Sequence, residues 1–110
     1  MKDSIIVDMR WANYDMIDGT PAVERHHVFG GANRHLSDDD GLWVPLSYEH
    51  HQGMMSVHHN KEMKVLMHII GQQAWMMDYI INNKDLPFDF VNIKEEAKDA
   101  FRKRYGRSYL

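Results

Sequence analysis

The longest regular periodicity in the chain begins at Asn60. Met63, Leu66, Met67, Ile70, Ala74 and Met77 recur at helical spacing and predict a long helix with one buried stripe. Asn60 is a suitable N-cap, Glu62 lies in the favourable first turn, and Gly71 allows close packing. The stretch "NNKDLPFDF" breaks this helix. A second amphipathic helix is expected over "NIKEEAKDAFRKRY". Asn92 and Glu95 make a capping-box-like start, and Ile93, Ala97, Ala100 or Phe101, and Tyr105 supply the apolar side. Gly106 ends it.

Ahead of Asn60 the apolar runs are short. "SIIVDMRW" alternates at Ile5, Val7, Met9 and Trp11 and predicts a half-buried strand. "DMIDGTP" is a turn signal, and "VERHHVF" reads as a short strand that stops at Gly30-Gly31. "SDDDG" is a polar loop without the alternating ligands of a calcium site. "LWVPLS" is a second strand whose Pro45 belongs at an edge. The expected fold class is α+β: a small β-hairpin plus helix, an N-terminal strand and two C-terminal helices. One domain spans 1–110. Residues 1–23 form the N-terminal strand and turn, 24–60 the hairpin core and 61–110 the C-terminal helices.

With 110 residues and a 44% hydrophobic fraction, the chain suits one folded domain. No apolar run approaches the roughly eighteen residues of a membrane helix. Zero cysteines exclude disulfides and thiolate metal sites and fit a cytoplasmic protein. The net charge of −3 argues against simple nonspecific nucleic-acid binding. Yet the last segment sets Lys94, Lys98, Arg102, Lys103, Arg104 and Arg107 against Glu95, Glu96 and Asp99. That basic helix could touch phosphates, or could simply suit the C-terminal end of a helix dipole.

Six of the eight histidines stand as adjacent pairs: His26-His27, His50-His51 and His58-His59. Neighbours on a strand point to opposite faces, so His26 and His27 have different jobs if the segment is a strand. Neutral imidazole is the commonest metal ligand and the usual general base near neutral pH. A site with some histidines on a metal and another activating water explains the clustering. Isolated His35 and His68, and His59 beside a helix start, read as surface or capping residues. Residue type and spacing alone stop at a metal site.

The ordered segments "ERHHVFGGANR", "GLWVPLSYEHHQG", "SVHHNKEM" and "YGRSYL" resemble small phage-encoded HNH endonucleases, similar to the phage RecA-dependent recombination nuclease. These belong to the ββα-metal (His-Me finger) superfamily, and the likeness covers about residues 24–110. It implies a β-hairpin and helix gripping one divalent metal ion, with magnesium, manganese, nickel and zinc all open. On that resemblance His26 is a metal ligand and His27 the general base. His51 is a second ligand and His58, in a Gly-Val-His-x-Asn-like element, a third. Asn60 matches the Asn of that element. Arg25 and Arg34 are candidates to hold phosphate, and the glycines of "FGGANR" let backbone approach it. The implied activity is metal-dependent hydrolysis of DNA in a bacterial host cell.

The chain departs from the family in its scaffold. Relatives often steady the hairpin with a zinc knuckle of Cys-x-x-Cys and Cys-x-x-His. Here the upstream segment has no cysteine, Ser47 stands at the downstream cysteine, and His50 keeps one knuckle position. The expectation is that structural zinc is gone, with the N-terminal strand, Trp11, Trp43 and the Met-rich helix as replacements. Gly41 lies near the middle Asn of the HNH name. Nine methionines, with Met54, Met55, Met76 and Met77 beyond the needs of one stripe, suggest a surface for self-association or a host protein. The competing functions are a catalytically inactive HNH-derived protein acting by protein binding, and a non-enzymatic histidine-rich metal module.

Overall fold

The computed structural model describes residues 2–21, 24–54, 56–83, 85 and 89–110. Met55 and most of "KDLPF" after the long helix lie outside the described residues, as does Val23 at the head of the first expected strand. The fold is α+β. A two-stranded antiparallel hairpin carries short helices, and two longer C-terminal helices pack together against it.

Strand β1 (Glu24–His27) pairs with β2 (Trp43–Leu46), with His26 opposite Val44 and His27 opposite Trp43. Pro45 is tolerated because each strand of a two-stranded sheet is an edge. The connection between the strands holds a 3-10 turn (Gly31–Asn33) and helix α1 (Arg34–Asp39), so the expected polar loop is partly helical. Ser37 closes it. Its buried hydroxyl donates to the Leu42 carbonyl at 2.7 Å and accepts from the Phe29 amide at 3.2 Å. Helix α2 (Tyr48–Gln52) follows β2, with the Ser47 side chain accepting from the His50 amide.

Helix α3 (Lys61–Asn82) starts on Asn60, whose side chain accepts from the Met63 amide at 3.0 Å. Its buried side is Met67, Gly71, Gln72 and Met76. Leu66 and Met77, placed by periodicity on the stripe, are exposed. The true stripe is turned because Gly71 faces the hairpin. A Cβ there would collide with Val28 and crowd Phe29. Helix α4 (Phe90–Tyr105) begins earlier than Asn92, since Asp89 accepts from the Val91 and Asn92 amides. Gly106 ends it at φ +88°, the left-handed region that suits glycine. Ala97, Phe101 and Tyr105 of α4 are buried, as expected, with Val28, Phe29, Leu42, Val44 and Leu46 in one core.

The expected N-terminal strand does not form among the described residues. Residues 5–7 bend, and Met9–Trp11 is a 3-10 turn. Local side chains win over alternation here. The Ser4 hydroxyl accepts from the Ile6 and Val7 amides while donating to the Trp43 carbonyl, and Asp8 caps the turn. Trp11, expected among the groups that steady the hairpin, is exposed, whereas Trp43 is fully buried.

Where the resemblance implies a zinc knuckle, the described residues form a carboxylate clasp. Asp15 is buried. Its Oδ1 accepts from the Ile17 and Asp18 amides at 2.7 and 3.1 Å. Its Oδ2 accepts from the Ser47 amide at 2.7 Å and lies 2.8 Å from His50 Nδ1. "Asp15-x-x-Asp18" thus meets "Ser47-x-x-His50", tying the N-terminal turn to the start of α2. A carboxylate has about four lone-pair sites, and all four are engaged. Burial pushes this carboxyl up, but the Ser47 amide, the His50 ring, the Ser47 side chain and the Ile17 amide outweigh it and bring it down to about 2.

Candidate metal centre and its cleft

Three separate segments deliver the imidazoles of His26, His51 and His58 to one place, with a ligand atom from each within 4.8 Å of the others. His26 is buried on the inner face of β1. His51 comes from the last turn of α2. His58 is brought back by the turn after α2, where the Val57 amide donates to the His50 carbonyl at 2.9 Å and buried Val57 anchors the segment. The His26 ring centre lies 5.2 Å from that of His51 and 5.1 Å from that of His58. His51 Nε2 and His58 Nε2 are 2.9 Å apart.

The donor set fits a divalent metal ion of the kind that takes nitrogen ligands. Burial, and then the neighbouring His51, His58, His27 and His68, hold His26 down to about 3, so its ring is neutral and able to ligate. Burial and His51 also lower His58. Glu24 Oε1 lies 3.3 Å from His51 Nδ1, a carboxylate partner of the kind that orients an imidazole and would leave its Nε2 free to ligate. The other Glu24 oxygen is buried without a hydrogen-bond partner among the described residues. A second group close enough for a metal ion, Asp15, Asp18 and His50, has its buried carboxylate already filled by protein donors.

His27 ends β1 and opens, with His26 and His58, onto a cleft of about 370 Å³. His27 Nε2 lies 3.1 Å from Asp38 Oδ1 on α1. With Asp38 accepting the Nε2 proton, Nδ1 carries the lone pair. Arg34 Nε stands 3.5 Å from that Nδ1, so Arg34 is beside the site. Arg25 stacks its guanidinium 4.1 Å over the Trp43 ring. His50 belongs to the Asp15 clasp, and Asn60 caps α3.

Asp38, Lys64 and His68 escaped the sequence reading. His68 is half-buried. Its ring lies 5.4 Å from Phe29 and 4.5 Å from Tyr109, and it lines the same cleft. The available signal was its place four residues after Lys64, on the face next to Met67. His35 and His59 are exposed. No family model, curated protein or solved structure matches the chain. Among the described residues no helix is long and apolar enough to cross a membrane.

Proposed function

We propose that the chain is a metal-dependent DNA endonuclease or nickase of the ββα-metal type. The observation that carries this reading is the meeting of His26, His51 and His58 beside His27, itself held by Asp38. Those four histidines are the ones the HNH resemblance nominates, and they come from three segments that spacing alone does not join. The hairpin and the turn before α3 then form the ββα-metal core, with one divalent ion held by the three rings.

In this reading His27 Nδ1 takes a proton from water as the water oxygen attacks phosphorus, and the opposite P–O bond breaks. Asp38 keeps the ring in the tautomer that can accept that proton and stabilises the imidazolium formed. Arg34 turns from His27 to a non-bridging phosphate oxygen. A divalent cation held by His26, His51 and His58 would supply positive charge to offset the charge developing in this step. The open backbone at Gly30 and Gly31, where a side chain would meet nothing within 4 Å, leaves room for the strand.

The test is incubation of supercoiled and single-stranded DNA with magnesium, manganese, nickel or zinc. Cleavage is expected, falling about 10²- to 10⁴-fold in His27→Ala with the fold retained. No cleavage with any ion at high protein concentration overturns the proposal. One observation favours a second reading, a catalytically inactive protein acting by protein binding. Met77, Ile81 and Val91 are exposed, and an apolar groove lies between α3 and α4 at Met76, Ile80 and Ile93. A stoichiometric host protein recovered without bound metal would select it.

A further inference from the structure

The cleft does not end at His26, His27 and His58. It continues past Gly30-Gly31 to Asn33, Lys64, His68 and Tyr109, and among the described residues no carboxylate lines it. In a chain with an excess of acids this absence points to an anionic occupant. At about 370 Å³ it falls at the small end of the roughly 300–1,000 Å³ range of ligand pockets. Lys64 and His68 stand one helical turn apart on α3 and face the cleft together.

The far wall is built rather than incidental. Buried Gln72 accepts from the Tyr109 amide at 2.6 Å and donates to the Ser108 hydroxyl at 3.0 Å, pinning the tail to α3. Arg107 lies 4.3 Å over the Tyr109 ring, which also meets Phe29, His68 and Phe101. Asn33 donates to the Tyr105 carbonyl at 3.1 Å, tying the glycine turn to the end of α4. Burial, then Lys64 and Arg107, depress His68, which places both cations within electrostatic reach of the ring.

Resting on the nuclease reading, we propose that Lys64, with His68 and Asn33, holds the phosphate next to the scissile one. The substrate is then a polynucleotide strand, not an isolated phosphodiester. Lys64 supplies the charge as a mobile point cation, while His68 and Asn33 supply hydrogen bonds from fixed positions.

The test uses two probes on the whole chain. The first is binding of a short fluorescein-labelled single-stranded oligodeoxynucleotide with chelator present, so that nothing is cut. Lys64 is exposed, and Lys64→Ala should fold as the wild type does, checked by circular dichroism. Expected are a three- to tenfold loss of affinity and a salt slope smaller by about 0.7, the signature of one lost phosphate contact on a single strand. The second probe is metal-dependent turnover of the oligonucleotide beside that of bis(p-nitrophenyl) phosphate, which has no neighbouring phosphate. The loss in Lys64→Ala should be about tenfold larger on the oligonucleotide. Unchanged binding and salt slope, or equal losses on the two substrates, overturn the proposal. Absence of all turnover with the binding difference intact defeats the nuclease reading but upholds the anion site.

Discussion

The Asp15 clasp makes a quantitative demand on acid stability. Its carboxyl, near 3.8 in an unfolded chain, is held at about 2 when folded. A depressed carboxyl contributes stability that is present above its unfolded value and lost as pH falls through its folded one. The difference is worth about 2 kcal/mol, and about 1.5 kcal/mol of it is gone by pH 2.5. Asp15→Asn removes the titrating group and turns a donor toward the Ser47 amide and the His50 ring. At pH 7 it should cost about 2–4 kcal/mol, the linkage contribution plus part of the penalty for unpaired buried donors. Urea denaturation of both proteins at pH 5 and pH 2.5 measures this. The gap between them should narrow by about 1.5 kcal/mol at the lower pH. A gap that stays constant would refute the reasoning, because the carboxylate would then not be the element holding the turn to α2.

Three further outcomes follow from the site and its supports. Asp38→Asn should slow DNA cleavage while leaving metal affinity near the wild-type value, measured by single-turnover kinetics beside a metal titration. Glu24→Gln weakens the partner of His51 and should lower metal affinity about 10- to 100-fold, read by competition with a chromogenic chelator. Asp40→Ala deletes the carboxylate that accepts from Arg104 at 2.6 and 2.7 Å, Tyr105 at 2.7 Å and Trp75 at 3.0 Å. It should cost about 3 kcal/mol in urea melts, since charge-assisted bonds and partly buried donors are lost together.

The sequence showed the long-range plan better than the local detail. Helical periodicity located α3 and α4, and Asn60 and Gly106 proved to be their cap and stop. The phase of α3 was missed because its buried side is built on a glycine and a polar residue. Gly71 admits Val28, and Gln72 serves the tail, so neither scores as apolar. The N-terminal alternation was real but local. Ser4 and Asp8 offered those amides partners that no neighbouring strand supplied. Adjacent histidines could not reveal which rings converge. That information lies in the Val57–His50 hydrogen bond and in the hairpin register. The clasp left a trace that went unread. Asp15-x-x-Asp18 repeats the spacing of Ser47-x-x-His50, and without cysteines the two halves did not look like one device.

Calorimetric titration with zinc and with nickel, run on the wild type, His51→Ala and Asp15→Asn, tests the central claim most directly. The three-imidazole site predicts one tightly bound ion per chain in the wild type. Binding should be lost in His51→Ala and kept in Asp15→Asn where that variant remains folded. Tight binding that survives His51→Ala, or that disappears in folded Asp15→Asn, would contradict it by placing the ion at the Asp15, Asp18 and His50 group instead.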